Sequence, residues 1–277
     1  MRDLAGATIL VTGATDGLGK RVAQELAGRG ASVLLHGRNR ERLEATVEEV
    51  GTGADSEKLD SYLADLSSLG QVRALAGRIL SDHVRLDALI NNAGVIVRER
   101  EESEDGFELT FAVNYLAHFL LTSLLLPLLR DSAPARIVNV ASAGQSPVDF
   151  DDVMLERRYD GMRAYVQSKL AQIMFTFELA GYLSGSGVSV NALHPASLMD
   201  TKMVSETFGY TMSTVQEGAV ATVRLAASPD VEGVTGRYFD GHYEARANRQ
   251  AYDPAARKRL WALSEDLCSP FLSPVAG

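Results

Sequence analysis

Tyr165 and Lys169 lie four residues apart in a stretch whose apolar spacing predicts a helix, so the two side chains share one face. A phenol normally ionises near pH ~10, too high for efficient proton transfer at neutrality. A neighbouring ammonium stabilises the phenolate and lowers that value. Lys169 can supply the charge and also hold the ribose hydroxyls of a nicotinamide cofactor. Ser142 follows a predicted strand upstream, at the end where a substrate carbonyl would sit. Its hydroxyl can donate to the carbonyl oxygen while Tyr165 releases its proton and a nicotinamide delivers hydride. Such a centre orients and polarises, and the difficult step belongs to the cofactor. A Tyr-x-x-x-Lys pair alone recurs by chance; its weight here comes from the segments that precede it.

Those segments alternate between strand and helix signals. Strands are predicted at Ala7–Val11, Ser32–His36, Tyr62–Ala64, Asp87–Ile90, Ala135–Val140, Val188–Leu193 and Gly236–Phe239. Helices are predicted over Lys20–Arg29, Arg40–Val50, Leu69–Ser81, Phe107–Leu129 and Met162–Leu183. The fold class is therefore α/β, a doubly wound, mostly parallel Rossmann-type sheet of about seven strands with helices on both faces. The strands are almost wholly apolar, as expected when both faces are covered. No Pro/Gly/Ser-rich linker divides the chain, so residues 1–277 are expected to form one domain. The segment around 195–215, Leu198–Ser213 in particular, reads either as a flap over a pocket or as an ordinary surface helix and loop.

The first strand runs into Thr12-Gly13-Ala14-Thr15-Asp16-Gly17-Leu18-Gly19 and then a helix. Gly13, Gly17 and Gly19 allow a sharp turn whose backbone, with Thr15, Asp16 and Leu18, approaches a pyrophosphate at the helix N-terminus. NAD sites usually place an acid after the second strand to hold the ribose 2′-hydroxyl. Here the chain reads His36-Gly37-Arg38-Asn39-Arg40, with no acid before Glu41. Arg38, with Asn39 beside it, can pair with a 2′-phosphate, which favours NADP(H) over NAD(H). The competing reading is that Arg38 and Arg40 begin a solvated helix. Asp65-Leu66 follows the third strand; Asp65 either bonds the adenine amino group or caps the next helix. Asn92-Ala93-Gly94 ends the fourth strand, small enough for close approach to the cofactor ribose, and Asn92 can pin adjacent strands.

Composition narrows the partners. The net charge of −9 argues against nucleic acid, whose backbone is bound by clustered Lys and Arg. Cys268 is the single cysteine, so an internal disulfide is excluded. The five histidines show no metal-ligand spacing, and no metal is expected. Phe119–Leu129 is too short for a bilayer and contains Pro127, which fits a buried helix better. Met1–Leu10 resembles neither signal peptide nor anchor, so cytoplasmic residence is expected.

Taken together, TGATDGLG (Thr12–Gly19), Asp65-Leu66, NNAG (Asn91–Gly94), VNYLAHF with Asn114, VASAG with Ser142 and YVQSK (Tyr165–Lys169) resemble the short-chain dehydrogenase/reductase family, single-domain type. The resemblance runs from Thr12 to about Thr201. It implies a catalytic tetrad of Asn114, Ser142, Tyr165 and Lys169, in which Asn114 bends its helix and holds a water that relays protons towards Lys169. Tyr165, Lys169, Asp65 and Asn92 gain weight as cofactor contacts, Pro195 and Ala196 fall where the family's backbone meets nicotinamide, and Thr201 is in place to touch the carboxamide or the phosphates. FAVNYLAHFLLTSLLLPLL, the insertion Gln145–Gly161 and YVQSKLAQIMF are similar to the retinol dehydrogenase and protochlorophyllide reductase-like branch. That branch mostly handles bulky hydrophobic carbonyls with NADP(H). Its animal retinol enzymes often carry a membrane anchor, for which a first strand at Ala7 leaves no room. Two positions depart from the pattern. Ala196 replaces the usual glycine, adding a methyl group beside the nicotinamide, and Gln172 stands where the branch often has Asn.

The expected activity is NADPH-dependent reduction of a hydrophobic ketone, aldehyde or quinone. The high Ala/Arg/Gly usage resembles a high-GC bacterium, whose secondary metabolism would supply aromatic polyketides. The reverse oxidation of a lipophilic alcohol is the alternative, and a non-catalytic NADPH-binding regulator is the alternative from another class. The pocket is expected to draw on Val95–Glu101, Gln145–Tyr159 and Leu198–Met212. Monomer, dimer and tetramer all remain compatible with the sequence; relatives often associate through their two long helices.

Overall fold

A computed structural model describes residues 4–272. Its eight strands are β1 (Thr8–Val11), β2 (Ser32–Gly37), β3 (Leu59–Leu63), β4 (Ala88–Asn91), β5 (Ala135–Val140), β6 (Val188–His194), β7 (Arg237–Asp240) and β8 (Tyr243–Glu244). They form one sheet in the order β3-β2-β1-β4-β5-β6-β7-β8. All pairings are parallel except β7 with β8. The order reverses between β1 and β4, which leaves a crevice at the carboxyl ends of those strands.

Successive strand residues explain the unbroken apolar runs. Ile9, Val11, Val33, Leu35, Ile90 and Val138 pack under one helical layer, α1 (Gly17–Ala27), α2 (Arg40–Gly51) and a later helix, Val215–Ala227. Leu10, Leu34, Leu89, Ile137 and Val190 point to the opposite face. There they meet α3 (Leu69–Asp82), α4 (Leu109–Asp131) and α5 (Gly161–Tyr182). With both faces buried, no polar alternation is needed. In chain order the remaining helices are α6 (Lys202–Phe208), α7 (Val215–Ala227) and α8 (Pro254–Cys268).

Helix α4 is apolar enough by composition to cross a bilayer, yet 83% of its most apolar window is buried in this fold. Its hydrophobicity is used up by the core. Near its start, Ala112–Leu116 forms a π turn centred on Asn114. Such a turn opens the helical hydrogen-bond ladder, and π turns recur at functional sites.

Three features differ from the sequence expectation. The third strand begins at Leu59 and ends at Leu63, because its register follows β2 from Val33 to Gly37. An eighth strand, two residues long, turns back antiparallel on β7. Helix α8 was not anticipated, because its buried positions, Ala256, Leu260, Ser264 and Cys268, include few large apolar residues. It is held by Trp261, which stacks on Phe175 at 5.8 Å and meets Phe119 and Tyr182 at 5.2 and 4.5 Å between ring centroids. Helix α8 thereby packs against α5.

Candidate active site

A cleft of ≈ 770 Å³ opens along the carboxyl ends of the central strands. Gly13, Thr15, Asp16, Gly17, Leu18 and Gly19 line it at the first turn, with Arg38 beyond them. Asp65, Leu66, Asn92, Ala93 and Gly94 line its middle. Ser142, Tyr165, Lys169, Pro195, Ala196 and Thr201 line its far end. Two expected residues do not line it, Asn39 and Asn114.

The first turn is built for close approach. Gly13 and Gly17 have φ of +66° and +47°, where a side chain is strained. A methyl at Gly19 would collide with the carbonyl oxygen of Gly13 and the Asn92 amide. Asn92 Nδ2 donates to Thr12 O at 2.8 Å, and the amides of Asn92 and Ala93 donate to Thr12 Oγ1 at 2.9 and 3.0 Å. These bonds tie the end of β4 to the end of β1, as expected of Asn92. His36, unnoticed in the sequence, fastens the turn from below. Its Nδ1 accepts from Gly13 N at 3.2 Å, so the ring hydrogen lies on Nε2, 3.1 Å from Ala64 O. Burial pushes the imidazole down to about 4, which keeps Nδ1 free to accept.

At the other side of the turn, Arg38 lines the cleft but Asn39 does not. Asn39 Oδ1 instead accepts from Arg42 N at 2.9 Å, capping α2. That cap sets the helix so that Arg42 joins Arg38 on the cleft wall. The Asn39 side chain is thus taken up as a helix cap, and Arg42, not singled out in the sequence, lines the cleft in addition to Arg38. The Asp65 carboxylate accepts from Ser67 N at 2.9 Å, whereas Ser68 holds the cap position of α3 and Asp105 receives Leu69 N at 2.7 Å. Asp65 does not cap α3.

At the far end, Ser142 Oγ accepts from Gly144 N at 3.1 Å, and the Ser142 carbonyl accepts from Gln145 Nε2 at 2.9 Å and Tyr238 OH at 3.0 Å. The Tyr165 side chain is half-buried and its phenol is hydrogen-bonded to Ser142. Burial raises its pKa and the Ser142 bond opposes the rise, with a net upward result. This differs from the expected lowering by Lys169. The Lys169 ammonium lies 5.6 Å from the Tyr165 ring centroid and donates to Val140 O at 2.8 Å and Gln172 Oε1 at 2.9 Å. Burial brings that ammonium down to about 7. Asn114 stands behind Gly94, where an added methyl would meet its Oδ1 at 3.4 Å. Its side chain accepts from Val95 N at 2.8 Å and donates to Val95 O and Ser168 Oγ at 3.1 and 3.0 Å. The bend expected at Asn114 is the π turn.

The cleft is also lined by Val95, Ile96, Met162, Val166 and Met203, with Lys202 and Glu206 on the same wall, while the Met199 sulfur packs against Gly218. Two of the three segments expected to supply pocket residues do so. The insertion after Gly144 contributes none before Met162. Val148 exchanges two hydrogen bonds with the Gln250 side chain at 2.7 and 3.1 Å, and Asp149 pairs with Arg163 at 2.8 Å. These contacts fold the insertion onto the C-terminal segment, away from the cleft. Leu198–Ser213 forms the opposite wall. Its neck is closed by Met212 N to Leu198 O at 2.9 Å and Asp200 N to Ser213 O at 3.1 Å. Thr201 caps α6 within it, and no residue of α6 is buried. Arg98 reaches across from the opposite loop and donates to Glu206 O at 2.7 Å.

The sequence pattern of the short chain dehydrogenase family matches residues 7–209. Retinol dehydrogenase 14 of Mus musculus is 41% identical over 287 residues, covering 94% of this chain and 85% of that protein. Retinol dehydrogenase 13 of Homo sapiens is 38% identical over 281 residues, covering 95% and 85%. Among solved structures, an uncharacterised protein from Mycobacterium paratuberculosis superimposes with a TM-score of 0.80 at 30% identity, over 97% of this chain and 96% of that one. A short chain dehydrogenase from Shigella flexneri 2a, complexed with NADP, superimposes with a TM-score of 0.72 at 27% identity, over 87% and 99%.

Proposed function

Because this chain belongs to the short-chain dehydrogenase/reductase family, on its retinol dehydrogenase branch, we propose that it interconverts a lipophilic aldehyde or ketone and its alcohol with NADP(H). One observation carries the reading: a single cleft holds Arg38 and Arg42 at one end and Ser142, Tyr165 and Lys169 at the other. A dinucleotide laid along the glycine turn would connect the two. The turn suits it, because Gly13 and Gly17 take positive φ and Gly19 packs against Gly13 and Asn92 without a side chain, which leaves backbone on the cleft wall for a pyrophosphate. Arg38 and Arg42 line the cleft after β2, where no acid precedes Glu41, and they suit a 2′-phosphate and favour NADP(H). Asp65, Asn92, Ala93 and Gly94 would border adenine and ribose, and Pro195, Ala196 and Thr201 the nicotinamide end.

When bound, the nicotinamide supplies or accepts the hydride. Ser142 Oγ donates to the substrate oxygen and polarises the carbonyl. Tyr165, hydrogen-bonded to Ser142, gives its proton to that oxygen in reduction and takes it back in oxidation. Lys169, charged, steadies the phenolate left behind. Asn114 shapes the π turn and holds the Val95 backbone, so that the substrate wall is fixed. The apolar, Met-lined end of the cleft suits a bulky lipophilic substrate, since thioether side chains adapt to irregular shapes. The relatives named for retinol weight the substrate towards a lipophilic primary alcohol and its aldehyde, and away from a polyketide ketone. We place the enzyme in the cytoplasm, as one domain with a substrate flap at about 195–215.

The test is NADPH consumption by the purified protein with a polyene aldehyde, a long saturated aldehyde, a decalin-type ketone and an aromatic quinone, alongside the reverse reactions with NADP+. Tyr165→Phe is expected to lower kcat by roughly 10²–10⁴-fold while NADPH binding persists. Undiminished turnover in that variant would remove Tyr165 from the chemistry. Tighter binding of NADH than of NADPH would overturn the cofactor assignment.

A further inference from the structure

Lys169 is buried, and an ammonium can only donate hydrogen bonds. The atom 2.9 Å away on Gln172 must therefore be the amide oxygen, which fixes the direction of the whole side chain. The Gln172 Nε2 then faces His118 Nδ1 at 3.3 Å. His118 Nδ1 donates to Asn114 O at 3.0 Å, so the ring hydrogen lies on Nδ1 and Nε2 accepts from Thr12 Oγ1 at 3.2 Å. Gln172 and His118 are each 1% exposed, so solvent cannot replace either one. The second acceptor of Lys169 is the Val140 carbonyl, a backbone group that no substitution of side chain removes.

We propose that Gln172 is a positioning residue for the acid–base centre: its amide oxygen holds the Lys169 ammonium in place and charged. The proposal rests on the role given to Lys169 above. The groups around the ammonium are few. Tyr165 lies one turn back on α5, His118 faces it from α4, and Asn114 borders Gly94 beside Nζ. No carboxylate contributes to the Lys169 titration, and burial alone draws it down to about 7. An acceptor that stabilises the charged form is then the means left to this side chain for keeping the lysine protonated at neutrality. In reduction a charged Lys169 favours proton release from Tyr165. Activity should fall as pH rises through the Lys169 titration, and that basic limb should follow the residue at position 172.

The direct test is the titration of Lys169 Nζ by nitrogen-detected NMR in the cofactor-free protein, with Lys169→Arg used to assign the signal. Gln172→Met keeps the volume but removes the acceptor, and should lower the titration by about one pH unit. Gln172→Glu adds a carboxylate and should raise it by a similar amount. The basic limb of NADPH-dependent reduction should move in the same direction in each variant. A Lys169 titration unmoved in folded Gln172→Glu would overturn the proposal. That variant also serves if Gln172→Met fails to fold. A titration that moves while the limb does not would uphold Gln172 as the holder of Lys169 and strike instead at the acid–base role of Lys169.

Discussion

At the scale of single residues, the cleft is shaped by side chains that satisfy neighbours before they meet any ligand. Asn39 illustrates the point. As a short acceptor before a helix it could serve a cofactor or the backbone, and the backbone of Arg42 takes it. The consequence is a second guanidinium on the cleft wall. Replacing Arg42 by Ala removes one donor for a 2′-phosphate and nothing needed by a 2′-hydroxyl. NADPH affinity is therefore expected to fall about tenfold, as for one lost charge-assisted hydrogen bond, with NADH affinity nearly unchanged. Fluorescence titration of both reduced cofactors measures this. Equal losses for the two would remove Arg42 from the phosphate site.

At the scale of elements, two walls of the substrate end are held differently. The loop after β4 is rigid. Val95 is bonded twice by Asn114, and Val97 O receives Tyr159 OH at 2.8 Å. A methyl at Gly161 would collide with that same Val97 carbonyl, so α5 starts flush against the loop. The opposite wall, Leu198–Ser213, is pinned at its neck while α6 buries no side chain. Arg98 bridges the two. An element with so few buried contacts opens at low cost, and one hydrogen bond across its free end matters accordingly. Arg98→Ala is expected to speed limited proteolysis within residues 202–210 several-fold, with global stability almost unchanged. A cleavage rate equal to that of the unaltered protein would mean that the wall is closed without Arg98.

At the scale of the whole molecule, stability is tied to buried histidines that must remain neutral. His36 titrates at about 4 and His118 at about 3 in the folded chain, against an ordinary value of 6.5, and burial is the leading cause for both. The unfolded chain therefore binds more protons than the folded one between those values. Stability is fully present above pH ~6.5 and is lost as pH falls through that window. For His36 the loss between pH ~6.5 and pH ~5.5 is about 1 kcal/mol. His36→Gln, which cannot titrate, should narrow the difference in urea-unfolding free energy between neutrality and pH ~5.5 by that order. An unchanged difference would show that His36 is not held neutral by the fold.

The doubly wound architecture is legible in the order of residues, because unbroken apolar strands alternating with amphipathic helices have few other ways to bury themselves. The same order marks the glycine turn and the Ser142, Tyr165 and Lys169 group, whose residue types are dictated by close backbone approach and by proton chemistry. Tertiary structure alone decided the side-chain partnerships: Arg42 beside Arg38, His36 beneath Gly13, Gln172 on Lys169, and the insertion after Gly144 turned towards Gln250. Each of these joins groups whose spacing along the chain carries no periodic signal or whose polar atoms have several acceptable partners. Which partner wins is settled by burial, since a polar atom shut away from water must take the one within reach.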